Sequence, residues 1–230
     1  MRYNTILFDA DNTLLDFTRS EHDALCECLT ARGLPHDETA IARYATINDG
    51  YWKRLERGEV TREALKIGRF ADFVAEYGYS CDAGQLAHEY MQALSGKSYL
   101  IDGAEELCRS LVPDCRLYLI TNGTGWIQHR RFDPSPLAPF FSAVFISECM
   151  GHEKPERAYF DMVTQSIPAF VPSDTLVVGD SLSSDIRGGI RAGLNTCWFN
   201  PHGKAAPSEL TPQFECRTLA EVGRVIRGEA

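Results

Sequence analysis

The sequence predicts an α/β protein, a doubly wound parallel sheet with an all-helical domain inserted into it. Three observations predict this. From Leu100 onward, short and almost continuously apolar runs alternate with segments of helical period, as in a parallel sheet covered on both faces. From Leu15 to about Ser98 the chain holds helical stripes and no convincing strand. Short polar signatures follow directly on the apolar runs, where an open α/β sheet receives its ligands.

Taken in order, Thr5–Phe8 is the first strand, apolar enough to belong to the interior of the sheet. The insertion then shows three stripes at three–four spacing. Ile41, Tyr44, Ile47 or Asn48, Tyr51, Trp52 and Leu55 form one. Ile67, Phe70, Phe73, Val74 and Tyr77 form the next, and Leu86, Tyr90, Ala93 and Leu94 the last. Gly33-Leu34-Pro35, Arg57-Gly58 and Gly78-Tyr79-Ser80 break the helices, which gives a four-helix module. Beyond it, a helix through Ala104, Leu107, Cys108 and Leu111 leads to a strand at Leu117–Ile120. Strands at Ala143–Ile146, Thr175–Val178 and Thr196–Phe199 follow, with helices through Tyr159, Phe160 and Val163 and through Ile186 and Ile190 between them. Residues 200–217 read as loop with one edge strand near Phe214. The predicted division is 1–15 and 97–230 for the sheet domain and 16–96 for the helical insertion.

With 230 residues, the chain is long enough for a full α/β core and a smaller module. Its 44% apolar and 24% charged residues are ordinary values for a globular protein. A net charge of −9 argues against nucleic-acid polymers and anionic membranes, both of which need a basic footprint. The few apolar residues before Asp9 are too short for a signal peptide, and no stretch approaches a membrane span. The cysteines lack C-x-x-C spacing, and Cys26 and Cys28 point in different directions on a helix. Cys108, Cys115 and Cys197 read as small buried hydrophobes, which suits a reducing, cytoplasmic compartment.

Four polar signatures carry the chemistry. Asp9-Ala10-Asp11-Asn12-Thr13 follows Ile6-Leu7-Phe8. Paired carboxylates at a strand end suit a nucleophile on phosphorus at Asp9 and an acid/base at Asp11, which protonates the leaving oxygen and then activates water. A turn rich in Asp and Asn that caps the next helix has the same composition, and this segment alone does not choose. Gly179-Asp180-Ser181 follows Leu176-Val177-Val178, and Asp185 arrives near the start of a helix. Capping that helix is the plainer use of both carboxylates. If Asp9, Asp180 and Asp185 converge, each pair of like charges about 4 Å apart costs roughly 4 kcal/mol at an effective dielectric near ~20. A divalent cation removes that cost, and an all-oxygen site favours Mg²⁺ over zinc.

Thr121-Asn122-Gly123 closes the strand Leu117–Ile120, and Thr121 and Asn122 there are candidates to hold phosphoryl oxygens. Reading Gly123-Thr124-Gly125 as a dinucleotide fingerprint fails, because the third glycine it needs is Gln128. Lys154, before Pro155, offers a point charge against a phosphate dianion. The histidines show no metal-ligand spacing, and the aromatic stripes of the insertion read as its core rather than as a base-stacking platform.

With these four signatures in order, the chain resembles the haloacid-dehalogenase-like (HAD) hydrolase superfamily over essentially its whole length. The family order is a D-x-D-x-T loop, a Thr-Asn turn, a Lys-Pro loop and a G-D-x-x-x-x-D loop, with a helical cap inserted after the first. The resemblance implies Asp9 as nucleophile, Asp11 as general acid/base, and Thr121 and Lys154 as holders of the phosphoryl group. It implies Mg²⁺ bound by Asp9, the Asp11 main-chain carbonyl and Asp180, with Asp185 in support. Dehalogenases of the superfamily lack the second Asp and its ion-pumping ATPases carry Thr there, so Asp11 implies a phosphatase or phosphomutase.

Finer similarity lies in Phe8 to Phe17, in Gly58-Glu59-Val60-Thr61 with Arg69-Phe70, and in Ala192-Gly193-Leu194 with Cys197-Trp198. These look like the YjjG-type pyrimidine 5′-nucleotidases, including those that take noncanonical nucleotides. N-acylneuraminate-9-phosphatases share several of them. One departure is Asp133-Pro134-Ser135-Pro136 with Pro139, which must break a helix that the family usually continues after Arg131-Phe132.

The expectation is therefore a Mg²⁺-dependent phosphomonoesterase working through an aspartyl-phosphate, with a pyrimidine nucleoside monophosphate as the leading substrate class. The cap would close over the substrate, and Asp16 and Phe17 at the hinge are candidate substrate contacts. The sequence does not separate a monomer from a homodimer. A sugar-phosphate phosphatase and a β-phosphoglucomutase-like isomerase are the enzymatic alternatives. A receiver-like phosphoacceptor domain is disfavoured, because its acceptor follows a later strand and it carries no such insertion.

Overall fold

The first strand, β1 (Thr5–Asp9), is buried at every position, after which the chain leaves the sheet for four helices. These are α1 (Phe17–Ala31), α2 (Glu38–Glu56), α3 (Arg62–Tyr77) and α4 (Ala83–Ser95). Local chemistry sets their ends. Asp37, Thr61 and Asp82 each accept a hydrogen bond from the backbone N–H three residues on, capping α2, α3 and α4. The last turn of α3 closes at Gly78, whose φ of 63° is a conformation glycine adopts without strain.

Residues Phe17–Tyr99 form a compact unit of their own. Tyr44, Phe70, Phe73 and Tyr90 are fully buried at its centre, with Tyr44 4.9 Å from Phe70 and 5.4 Å from Phe73 between ring centres. Burying each such side chain contributes about 1.5–3 kcal/mol. The stripe on α2 resolves to Asn48, not Ile47. Asn48 donates to Glu21 Oε1 at 2.5 Å and accepts from Arg69 Nη1 at 2.5 Å, so the amide links a buried carboxyl to a buried guanidinium, while Arg69 Nε has no acceptor among the described residues. On α3 the buried face is Leu65, Arg69, Phe70 and Phe73, and Ile67 is 52% exposed.

The other unit, Met1–Asp16 with the chain from Leu100 on, resumes the sheet. It contains α5 (Ala104–Leu111), β2 (Arg116–Thr121), α6 (Gly125–Phe132), β3 (Phe141–Ile146), α7 (Ser147–Met150) and α8 (Arg157–Gln165). Then come β4 (Thr175–Gly179), α9 (Arg187–Ala192), β5 (Asn195–Phe199), β6 (Phe214–Cys216) and α10 (Leu219–Arg227). The computed structural model describes residues 1–229.

The sheet order is β3-β2-β1-β4-β5-β6, with every pair parallel. Alternate side chains supply two cores. Ile6, Phe8, Leu117, Leu119, Leu176 and Val178 pack on one face with Leu107, Leu111, Val222 and Ile226 of α5 and α10. Leu7, Tyr118, Ile120 and Val177 pack on the other with Tyr159, Phe160 and Val163 of α8. This two-sided cover explains the near-continuous apolar runs.

Strand order reverses across β1, which pairs with β2 on one side and β4 on the other. The carboxyl ends of these three strands therefore meet at a topological switch point, where Asp9 stands level with Ile120 of β2. The proline-rich stretch after Phe132 does end α6. Ser135 N donates to Phe132 O, and a short 3₁₀ turn at Ala138–Phe140 feeds β3. Phe132 then meets Phe141 edge-on at 5.3 Å, so packing beside β3 survives the break.

Candidate active site

Asp9 is the last residue of β1, and the loop after it is bent by its own residues. Asn12 has φ 62°, a left-handed conformation that Asn tolerates better than most residues, and its N–H donates to Leu15 O at 2.7 Å. The bend buries Thr13 beneath the strand end. Its hydroxyl donates to Asp9 Oδ2 at 3.0 Å and accepts from Asp180 N at 3.1 Å. One threonine thus ties the ends of β1 and β4 together. Neither Asp9 nor Asp11 caps a helix, so the plainer reading of that pair gives way to the side-chain contacts they make.

At the end of β4, the helix cap is Ser181, whose Oγ accepts from Ser184 N. The chain does not pass straight into a regular helix. Leu182–Ile186 forms a π turn, with Ile186 N donating to Ser181 O, before α9 begins. The wider turn brings Asp185 back onto the strand end, where Oδ2 accepts from Ser181 N at 3.1 Å. A Cβ at Gly179 would lie 2.2 Å from Asp185 Oδ2, so only glycine leaves room for that carboxylate. Trp198 of β5 donates from Nε1 to the Asp180 carbonyl at 2.8 Å and fixes the loop from the far side.

Lys154 joins the clusters. Its ammonium donates to Asp9 Oδ1 at 2.6 Å, Asp185 Oδ1 at 2.7 Å and Ile120 O at 3.2 Å, which uses all its hydrogens. Asn122 clamps the backbone of Lys154 in both directions, donating to its carbonyl at 2.8 Å and accepting from its N–H at 2.9 Å. The Asn122 amide thereby holds the Lys154 loop against the end of β2. Thr121, at the end of β2, is buried with its hydroxyl beside Gly123 and Gln128.

The electrostatics follow from burial. Burial pushes the Asp9 carboxyl up to about 7, with Asp185 and Asp11 adding to the rise and Lys154 opposing it. Burial, then Asp9 and Asp185, also hold Asp180 well above the carboxylate range. Burial alone would lower Lys154, but Asp185 and Asp9 outweigh it and hold the ammonium charged.

Oxygens of Asp9, Asp180 and Asp185 lie within 4.8 Å of one another. Against these three carboxyl groups stands a single buried ammonium, so ionising all of them would leave excess negative charge out of water, which is why Asp9 and Asp180 hold their protons to higher pH. The Asp180 carboxylate accepts no hydrogen bond from the described residues. An all-oxygen donor set whose full ionisation needs a further positive charge fits a hard divalent cation such as Mg²⁺.

Two residues here were not singled out as functional by sequence. Arg131 Nη1 donates to Asp11 Oδ1 at 2.6 Å, and Gln128 Nε2 donates to Asp11 Oδ2 at 2.9 Å. Both oxygens of the second carboxylate are thereby held, apart from the Asp9 cluster. The available signal was their i, i+3 spacing, which puts two polar groups on one face of α6 with both buried.

Comparison with known proteins agrees with this geometry. The family model for haloacid dehalogenase-like hydrolases matches residues 3–193. The chain belongs to this family. HAD-hydrolase YfnB of Bacillus subtilis is 41% identical over 228 residues, covering 99% of this chain and 97% of YfnB. A crystal structure of YfnB bound to magnesium superposes with a TM-score of 0.94, covering 98% of this chain and 99% of that one. Pyrimidine 5′-nucleotidase PynA of Streptococcus pneumoniae is 36% identical, covering 94% of this chain and 91% of PynA.

Within this HAD-like hydrolase, Asp16 is the last residue of the first stretch of the sheet unit and Phe17 opens α1, both half-buried. Among the described residues, no helix is long and apolar enough to cross a membrane.

Proposed function

We propose that this HAD-like hydrolase is a Mg²⁺-dependent phosphomonoesterase whose substrate is a pyrimidine nucleoside 5′-monophosphate. The observation that carries the reading is the pairing of two differently treated carboxylates. Asp9 sits in the Lys154–Asp180–Asp185 cluster, and Asp11, two residues on, is held separately by Gln128 and Arg131. Such a division suits a nucleophile beside a proton donor.

In the first step an Asp9 oxygen attacks phosphorus. The bond from phosphorus to the leaving oxygen breaks, and Asp11 gives that oxygen its proton. In the second step Asp11 takes a proton from water as the water oxygen attacks phosphorus. The bond from Asp9 to phosphorus breaks, inorganic phosphate leaves, Asp9 is again a carboxylate and Asp11 again carries its proton. Asp9, Asp180 and the Asp11 carbonyl would hold Mg²⁺, with Asp185 behind them. The bound ion would neutralise charge on the phosphoryl oxygens. Lys154 keeps positive charge at the base of the site, and Thr121 supplies a hydroxyl beside it.

The substrate class draws support from PynA, whose name records that activity. A screen for inorganic phosphate release across pyrimidine nucleotides, purine nucleotides and sugar phosphates tests it. Fastest release from a pyrimidine 5′-monophosphate is expected. Preference for a sugar phosphate would overturn the substrate class and leave the chemistry standing. Isomerisation without phosphate release would overturn the hydrolase reading in favour of a mutase.

A further inference from the structure

We infer that Gln128, its amide oriented by Arg131, is a positioning residue that turns Thr121 into a hydrogen donor for a phosphoryl oxygen. The inference rests on the phosphomonoesterase reading above and adds residues to it that no part of that reading required.

Donor and acceptor capacities fix the orientation of each group. Arg131 has only hydrogens to give. Its Nη1 donates to Gln128 Oε1 at 3.0 Å as well as to Asp11 Oδ1 at 2.6 Å. That contact settles which end of the Gln128 amide is oxygen and puts Nε2 on the other side. There Nε2 lies 2.7 Å from Thr121 Oγ1 and 2.9 Å from Asp11 Oδ2, one hydrogen for each acceptor. Asp11 is also an acceptor, so both neighbours demand the same orientation.

Thr121 Oγ1 receives a second hydrogen bond from Gly123 N at 3.1 Å. A hydroxyl has two acceptor positions and one hydrogen. With both acceptor positions occupied, the hydrogen is all that Thr121 has left to offer, and none of the described residues accepts it. Buried at the end of β2 beside the Lys154 loop, this hydroxyl is a preset donor that pays no reorientation cost when an anion arrives.

Space has been kept for the arrangement. A Cβ at Gly123 would lie 2.5 Å from Gln128 Cδ, so the glycine after Thr121-Asn122 is what lets the amide in. Gln128 and Arg131 are 3% and 1% exposed. Burying an amide and a guanidinium for packing alone would cost more than an apolar pair of the same volume.

A double-mutant cycle tests the inference, with inorganic phosphate as the probe. Its affinity for the full-length, Mg²⁺-loaded protein is measured by calorimetry for wild type, Gln128→Met, Thr121→Val and the double variant. Gln128→Met is expected to weaken phosphate about 10-fold in the wild-type background, roughly the loss of one charge-assisted hydrogen bond. In the Thr121→Val background the same substitution should change affinity less than about 2-fold, since the hydroxyl it orients is gone. Equal losses in both backgrounds would overturn the inference, as would no loss in either. If Gln128→Met does not fold, Arg131→Lys replaces it. A lysine keeps the charge but not the fixed fork, so it should weaken phosphate only where Thr121 is present, and an equal effect without Thr121 again counts against the idea. The underlying reading fails separately: wild type that releases no phosphate from any phosphomonoester removes both, whereas active wild type with an additive cycle removes only this inference.

Discussion

Lys154 Nζ lies 2.7 Å from Asp185 Oδ1, an ion pair between two fully buried groups that the chain separates by thirty-one positions. Lys154 also serves Asp9 at 2.6 Å, so one ammonium stands between two carboxylates. Such pairs add little net stability when made, but removing one partner strands the other charge.

Lys154→Met should therefore destabilise the fold by about 3–5 kcal/mol, the usual cost of stranding a buried charge. Mg²⁺ should recover part of the loss, because a cation in the cluster offsets the same carboxylates. Urea midpoints with and without Mg²⁺ check this. A midpoint that does not move would mean the pair is not what holds the cluster together.

Asp9→Asn should lower phosphate release by at least about 10³-fold, since an amide oxygen is a poor nucleophile on phosphorus. In EDTA the same variant should be at least as stable as wild type. Burial pushes Asp9 up to about 7, so its ionised form costs stability at neutral pH, and the amide removes that cost while keeping an oxygen for Lys154. Retained turnover would exclude Asp9 as nucleophile.

Chelation should abolish activity, and Mg²⁺ should restore it. The ion should also raise the thermal midpoint of wild type, because it binds only the folded arrangement of Asp9, Asp180 and Asp185. Asp180→Ala should remove most of that rise. Restoration by zinc alone would contradict an all-oxygen site.

In the helical unit, Glu21 gives stability a pH dependence. Burial moves its carboxyl from 4.5 up to about 7, against the opposing pull of Arg69 and Asn48. Between those values the folded state keeps a proton that the unfolded state has released, so stability falls as pH rises through that window and is flat above it. The change amounts to about 3 kcal/mol. Glu21→Gln keeps the acceptor for Asn48, so it should flatten the profile and gain stability at pH ~8. Denaturation of both proteins at pH ~5 and ~8 reads the difference, and parallel profiles would show that Glu21 is not the titrating group.

The fold class was legible because burial on both faces of a parallel sheet leaves a direct trace, apolar runs such as Ile6-Leu7-Phe8 and Leu176-Val177-Val178. The polar signatures were legible because they interrupt those runs at strand ends. The helical stripes leave a coarser trace. Ile67 fits the period of α3 yet faces solvent, and the buried place goes to Arg69, which periodicity scores as surface. Ile47 and Asn48 were equivalent by spacing, and only the partners Glu21 and Arg69 choose between them.

By itself the sequence determined the strands, the insertion and the order of the four signatures, since each depends on neighbours along the chain. Tertiary structure decided what the polar groups do. Asn122 goes to the Lys154 backbone, Thr13 joins two strand ends, the π turn folds Asp185 back, and Gln128 with Arg131 takes hold of Asp11. A buried hydrogen bond or ion pair is fixed by which groups meet across distant segments once water is gone, and no local pattern in the chain records that meeting.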